Sequence, residues 1–189
     1  ILNKNRIEAP STHKLFYTIY LINMKKAIFW FRQDLRVYDN SWFIKAILEN
    51  NEVLPIFVID KNITDWFSKF DDKKFGFIRE SLEHLDYEIK KLNWEWIKVF
   101  YDTPENIIPY LALKYSITNI IANKSYSRYW TKRDENIKNI LNQNNISFSL
   151  EKDYLLVEPD EIEQRKVFTP FYKLWQKQLW DTTEKNPTN

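Results

Sequence analysis

Two arginines and two aspartates lie close together in the stretch Trp30–Asn40 (WFRQDLRVYDN). Guanidinium groups form paired hydrogen bonds with anions and stack on planar rings. Arg32 and Arg36 are therefore candidate contacts for an anionic or planar ligand, with Asp34 beside them. The same residue types also serve structure, because Asp34 and Arg36 can form local ion pairs that shape a loop. Both interpretations stay open on this stretch alone.

Apolar runs alternate with amphipathic patterns along the chain. The strand candidates are Ala27–Phe31, Val53–Ile59, Trp96–Tyr101, Asn119–Ala122 and Ile146–Leu150. This alternation predicts an α/β fold with a five-stranded parallel sheet and helices on both faces. Such sheets bind ligands beyond the carboxyl ends of their strands, where the strand order reverses. The expected ligand loops therefore follow Phe31, Ile59, Tyr101 and Ala122.

The helical segments have recognisable starts and faces. Ser41 is a candidate N-cap of the first helix, with Asp39 or Asn40 as alternatives. The apolar side of that helix would carry Phe43, Ile44, Ile47 and Leu48. A long helix opening at Asp71 or Asp72 has an apolar stripe of Phe75, Ile78, Leu82, Leu85, Ile89 and Leu92.

Two further helices are predicted in the second half of the chain. Thr103-Pro104-Glu105 is a helix-start signal, and Pro109 either kinks that helix or marks its real beginning. A helix is also predicted over Thr131–Asn142, and the charged run Lys132–Glu135 is most simply its solvated start. His84 falls off the apolar stripe of its own helix and is predicted to be solvated.

Composition excludes several classes of site. The chain has no Cys, two His and one Gly, so it lacks disulfides, thiol catalysis, a His-rich metal site and the glycine-rich nucleotide loops. A net charge of +2 gives no general basis for nucleic-acid binding. No apolar run reaches the roughly 18 residues of a membrane helix. We therefore predict a cytoplasmic protein without a membrane segment.

The Trp30–Asn40 stretch resembles the opening signature of the photolyase and cryptochrome family. Three later segments are also similar to family segments, in family order: Leu54–Asp60, Tyr126 with Arg133-Asp134, and Lys166–Phe171 with Trp175. The resemblance runs from Lys25 to about Trp175. It implies a Rossmann-like N-terminal α/β domain, which in this family helps to hold a light-harvesting antenna chromophore.

The resemblance also implies what this chain does not contain. In full-length members a C-terminal helical domain binds FAD and docks the damaged pyrimidine dimer, and that domain is expected to be missing here. The resemblance therefore assigns no catalytic residue to this chain, which is expected to split no dimers alone. The implied partners are the helical FAD-binding domain and, only through the full-length protein, damaged DNA.

The nature of the antenna depends on two positions. Folate-binding relatives grip the pterin with an Asn-Glu pair, and the matching residues here are Tyr129 and Trp130. Tyr donates a hydrogen bond and both rings stack, but neither supplies a carboxylate. The resemblance thus implies a cofactor site of Arg32, Asp34, Arg36, Tyr129 and Trp130. Because Tyr129 and Trp130 differ from the Asn-Glu pair, a flavin- or deazaflavin-type chromophore is expected ahead of folate. It stays open that no antenna binds.

Domain limits follow from the same reasoning. Met24 directly precedes the first strand, so residues 1–23 are expected to be a disordered upstream or added extension. The α/β domain is assigned to 24–165 and the start of an interdomain linker to 166–189, with a disordered polar tail after Trp180. The alternative function is a stand-alone α/β nucleotide-binding or interaction module without photochemistry.

Overall fold

The structure, a computed structural model, describes residues 24–64, 72–92, 96–153 and 155–185. The chain divides into two compact units, residues 1–151 and 152–189. The segment 1–23, predicted to be a disordered extension, lies outside the described residues. The predicted limit between the α/β domain and the linker, after residue 165, stays a prediction.

Five strands and six helices follow one another along the described chain. They are β1 (Lys26–Phe31), α1 (Ser41–Glu49), β2 (Glu52–Asp60), α2 (Lys61–Thr64), α3 (Asp72–Lys91), β3 (Lys98–Asp102), α4 (Pro104–Lys114), β4 (Asn119–Asn123), α5 (Arg128–Asn142), β5 (Ser147–Glu151) and α6 (Phe168–Lys185). Each of the five predicted strands is present, with ends that differ from the prediction by at most two residues.

The strands form one sheet in the order β3-β2-β1-β4-β5. All four pairings are parallel. The predicted five-stranded parallel sheet is therefore confirmed. The order runs down from β3 to β1 and then continues with β4, so the reversal lies between β1 and β4. The carboxyl ends of these two central strands are the place where such a sheet opens a crevice.

The two faces of the sheet bury different helices. Successive side chains of a strand point to opposite faces, and β1 follows this rule closely. Ile28 and Trp30 belong to the core cluster that also contains apolar residues of α4 and α5. Phe29 and Phe31 belong to the second cluster, with residues of α1 and α3. Helices on both faces are thereby confirmed, and β1 is buried because it lies between the two cores.

Pro55 lies within β2 without breaking it. It pairs with Phe29 of β1, whereas pairing of β2 with β3 begins one residue later, at Ile56 opposite Lys98. Proline has no backbone N–H to donate to a ladder. The sheet accommodates it where β2 has a neighbour on one side only.

The N-cap of α1 is Asn40 and not Ser41. The Asn40 side-chain oxygen accepts a hydrogen bond from Phe43 N at 3.2 Å, and Ser41 is the first helical residue. The predicted apolar face was wrong in part, because Ile44 is 45% and Leu48 79% exposed. Phe43 is buried as predicted, and Ala46, three residues later, is buried with it.

The remaining helices differ from the prediction mainly at their ends. Helix α4 begins at Pro104 and contains Pro109. The Leu82, Leu85 and Ile89 positions of the α3 stripe are buried, and His84 is exposed as predicted. Helix α6 continues to Lys185, so the predicted disordered tail is wrong for residues 181–185. The last four residues lie outside the described chain.

We predict that Asn40→Ala lowers the free energy of unfolding by about 2 kcal/mol. The loss combines a missing helix cap with a missing donor to the buried Asp34 carboxylate, which Asn40 Nδ2 contacts at 3.2 Å. The matched control is Ser41→Ala, one residue later, which should change stability by less than about 0.5 kcal/mol. Urea denaturation followed by circular dichroism measures both, and equal losses would contradict the assignment of the cap.

Candidate functional site

Asp34 is the centre of a buried hydrogen-bond network at the carboxyl end of β1. One of its oxygens accepts from Arg32 N at 2.8 Å. The other accepts from Asn40 Nδ2 at 3.2 Å and from Asn123 Nδ2 at 2.7 Å. These bonds join the loop after β1 to the start of α1 and the end of β4. The Asp34 carboxylate is therefore occupied by hydrogen bonds inside the protein.

Arg36 pairs with Asp39, whereas the sequence suggests a local ion pair between Asp34 and Arg36. Its Nε donates to Asp39 Oδ1 at 2.7 Å, and the two side chains are 37% and 79% exposed. Asp39 has a φ of 57°, in the left-handed region that Asp tolerates better than most residues. The Arg36–Asp39 pair therefore lies at the surface of the turn that leads into α1.

The Arg32 side chain is buried, and both of its terminal nitrogens bond to Asp134 of α5, whereas its Nε has no hydrogen-bond partner among the described residues. Its two terminal nitrogens donate to the two Asp134 oxygens at 2.8 and 3.1 Å, and one also donates to Asn123 O at 3.3 Å. The guanidinium lies 3.9 Å from the ring centre of Trp30. Burial lowers the pKa of Arg32 to about 10, with Asp134 opposing the shift. Arg32 therefore stays charged at neutral pH and links β1 to α5.

The predicted solvated start of this helix was wrong in part, because Arg133 and Asp134 are buried, whereas Lys132 and Glu135 are exposed as predicted. Arg133 is 6% and Asp134 3% exposed. The two residues precede the buried Ile137 by four and three positions, which places them on the buried face of α5. This spacing is the signal in the sequence that identifies them. The charge of the run by itself indicates an exposed surface, because Arg32, the partner of Asp134, is 102 residues away in the chain.

Arg133 contacts the buried Trp30 ring and also approaches Asp60 at the end of β2. Its guanidinium is 4.6 Å from the Trp30 ring centre, which Arg32 also contacts. Its Nη2 donates to Asp134 Oδ1 at 3.0 Å, and its Nη1 is 3.8 Å from Asp60 Oδ2. Charge-assisted bonds of this kind hold a guanidinium in one orientation.

Tyr129 connects the start of α5 to the end of β2. Its hydroxyl donates to Asp60 Oδ2 at 2.9 Å, while Asp60 Oδ1 accepts from Asn62 N at 3.0 Å. Burial raises the pKa of Tyr129, and the hydrogen bond to Asp60 adds to the shift. The phenol is therefore a neutral donor at physiological pH, and its partner is a residue of the protein.

A cavity of about 310 Å³ opens at the carboxyl ends of β1 and β2. Its wall is mostly apolar and aromatic, with a few polar groups. The lining residues are Trp30, Phe31, Arg32, Gln33, Phe57, Val58, Ile59, Asp60, Ile63, Thr64, Lys74, Phe75, Ile78, Ser125, Trp130 and Arg133. An apolar pocket with few convergent polar groups is the usual form of a small-molecule site. It lies at the predicted ligand edge, beside the reversal of strand order.

The cavity brings together some of the residues that the sequence singled out. Arg32 and Trp130 line it, and Tyr129 adjoins it through Asp60. Asp34 and Arg36 are not in its lining. The loops after β1, β2 and β4 contribute as expected, whereas the loop after β3 does not. Sequence reasoning did not identify Arg133, Asp60, or Phe75 and Ile78 of α3 as lining residues.

The described residues contain neither a metal cluster nor a membrane span. No group of three or more His, Asp or Glu within them is placed to hold a metal ion. None of the helices in the described ranges is long and apolar enough to cross a bilayer.

We predict that Asp134→Asn costs about 3 to 5 kcal/mol of unfolding free energy, because it leaves the Arg32 guanidinium buried without its counter-charge. Glu135→Gln is the matched control, since it makes the same change of charge at the next residue, which is exposed. It should change stability by less than about 0.5 kcal/mol. Thermal unfolding followed by circular dichroism compares the two variants. Equal stability of both would show that the buried pair contributes nothing.

Comparison with known proteins finds one family throughout. The sequence profile described as DNA photolyase matches residues 27–188. Cryptochrome-2 of Arabidopsis thaliana is 30% identical over 158 residues, which are 82% of this chain and 25% of that protein. The deoxyribodipyrimidine photo-lyase of Buchnera aphidicola is 31% identical over 162 residues, 79% of this chain and 33% of that one. The chain thus spans about a quarter to a third of these relatives.

Solved structures agree with the sequence relatives. The photolyase of Sulfolobus tokodaii superimposes with a TM-score of 0.64 at 28% identity, over 78% of this chain and 34% of that one. A class III photolyase of Agrobacterium tumefaciens gives a TM-score of 0.70 at 21% identity, over 81% and 32%, and supports the fold. The resemblance first seen in the Trp30–Asn40 stretch is confirmed, and the chain belongs to the DNA photolyase family.

Proposed function

We propose that this chain is the antenna-chromophore scaffold of a light-dependent DNA-repair enzyme of the deoxyribodipyrimidine photolyase type. The observation that carries the proposal is the aromatic cavity at the carboxyl edge of β1 and β2. Its volume of about 310 Å³ falls at the lower end of the range for small-molecule sites. Aromatic side chains supply flat apolar faces that suit a conjugated ring.

The proposed chromophore is of the flavin or deazaflavin type. Trp130 and Phe75 would contact the ring faces, and Arg133 would donate hydrogen bonds to acceptors on the polar ring edge. Arg32, stacked on Trp30, would form part of the cavity wall, whereas Asp34 and Arg36 would shape the loop without touching the ring. The Sulfolobus tokodaii photolyase supports this choice, since its structure is described as holding two FAD molecules and implying a novel light-harvesting cofactor.

A folate antenna is less well supported. Tyr129 occupies one of the positions that the resemblance assigns to pterin recognition, but its hydroxyl is bonded to Asp60. Trp130, at the other position, lines the cavity with a ring that offers a stacking face and a single N–H donor. A stacking ligand uses these groups better than one that requires a carboxylate.

The repair step itself would belong to a helical FAD-binding partner domain, and damaged DNA would bind through the complete enzyme. An aromatic face of α6 supports such a partner. Phe168, Tyr172 and Trp175 stack in sequence, with ring centres 5.7 and 6.2 Å apart. Phe168 is 74% and Trp180 66% exposed. Exposed aromatic patches commonly mark surfaces that another domain covers.

We predict that the purified chain binds flavin mononucleotide and that Trp130→Ala weakens this binding by about fivefold to 150-fold. Loss of one stacking face costs about 1 to 3 kcal/mol, and about 1.4 kcal/mol corresponds to a factor of ten. Trp180→Ala removes an exposed indole from α6 and should leave the affinity unchanged. Quenching of flavin fluorescence on titration with protein measures all three proteins.

Two outcomes would decide against the proposal. Tighter binding of a reduced folate than of flavin mononucleotide in the same titration would reverse the choice of chromophore. Absence of binding by either compound, together with no near-ultraviolet or blue absorption band in protein from its native source, would remove the antenna role. The alternative of a photochemically inactive α/β module would then be the better account.

A further inference from the structure

Strand β3 is one edge of the sheet. Within the described residues it pairs only with β2, from Lys98 to Asp102. The backbone N–H and C=O groups on the outer side of an edge strand form a template for pairing with another strand. Proteins commonly protect such edges, so the chemistry of this one decides what it is suited to bind.

The sequence of β3 is complementary to itself when it is reversed. It reads Lys-Val-Phe-Tyr-Asp, with a cation at one end and an anion at the other. Antiparallel pairing about a two-fold axis at Phe100 sets Lys98 of each copy opposite Asp102 of the other copy, which gives two such pairs. The same axis sets Val99 opposite Tyr101. Directly opposed charges of opposite sign stabilise a pair of strands, and like charges destabilise it.

The side chains of β3 suit this pairing. Val99 and Tyr101 share one face of the strand and are 45% and 52% exposed. Lys98 and Asp102 lie on the other face, because side chains alternate. Asp102 binds Thr103 N at 2.8 Å and Lys61 Nζ at 3.5 Å, yet its side chain remains 36% exposed. A carboxylate accepts more than two hydrogen bonds, so Asp102 can also accept from a lysine on a second strand.

The other edge strand, β5, lacks this symmetry. Its ends are Ser147 and Glu151, so antiparallel self-pairing would bring no opposite charges together. The Ser147 hydroxyl also donates to Asn119 Oδ1 at 2.8 Å within its own sheet. Of the two edges, β3 is the one with ends that complement a copy of themselves.

We propose that two copies of this chain associate through antiparallel β3–β3 pairing, which joins their sheets into one continuous sheet. A two-fold interface uses the same patch on both copies, as the Lys98–Asp102 complementarity requires. Pairing of two five-residue strands is a small contact, so the dimer forms reversibly and depends on concentration. This proposal is independent of the chromophore site.

Charge exchange across the interface tests the pairing. Lys98→Glu places like charges opposite each other at two sites, and Asp102→Lys does the same with the opposite sign. Each change should weaken dimerisation about tenfold, since two attractive pairs become repulsive. The double variant Lys98→Glu/Asp102→Lys restores opposite charges and should return to within about threefold of the original dissociation constant. Sedimentation equilibrium over a concentration series measures the constants.

Lys132→Glu is the control, because it makes the same change of charge at an exposed position of α5. It should leave the dissociation constant unchanged. Lys98→Glu is the decisive single variant, because it keeps the Asp102 contacts with Thr103 and Lys61. A protein that stays monomeric at about 0.1 mM overturns the proposal. A dimer that neither single variant weakens overturns it too, and so does a double variant that stays as weak as the single ones.

Discussion

The buried pair of Arg32 and Asp134 holds together the parts of the molecule on which the site depends. Burial of two charges is expensive, and a pair repays the cost only when geometry is good and the remaining donors are satisfied. Here two hydrogen bonds join the groups, a third reaches Asn123 O, and the Trp30 ring covers the guanidinium, while only Arg32 Nε is left without a hydrogen-bond partner within the described residues. The pair spans the reversal of strand order, so it fixes α5 against the end of β1.

The position of α5 in turn determines the wall of the cavity. Trp130 and Arg133 lie one turn apart on this helix, and both line the cavity. A displaced α5 would carry both side chains away from the loops after β1 and β2. Tyr129 adds a second tie, to Asp60 at the end of β2. The helix is thus anchored to two adjacent strands, β1 through Arg32 and β2 through Asp60.

Local sequence patterns predicted the strands well and the charged residues poorly. A continuous apolar run such as Ala27–Phe31 indicates a buried strand, because the environment of such a strand is apolar on both faces. The role of Arg133-Asp134 depends instead on Arg32, which is distant in the chain. Their charge alone predicts that Arg133 and Asp134 are exposed to solvent. Only their helical spacing from the buried Ile137 indicates that they are buried. The cap of α1 shows the same limit, since Asn40 and Ser41 are both good caps and tertiary bonds to Asp34 favour Asn40.

Pro55 has a consequence for the length of the sheet. The register places Ile97 opposite Pro55, one step before the Ile56–Lys98 pair. With no amide hydrogen at residue 55, the ladder cannot grow past Lys98 toward Trp96, although the apolar pattern predicted a strand from there. The amino-terminal margin of the sheet is therefore stepped, and Pro55, Trp96 and Lys98 border an open recess of about 520 Å³. Pro55 thus sets the outline of the sheet margin opposite the aromatic cavity at the carboxyl ends of β1 and β2.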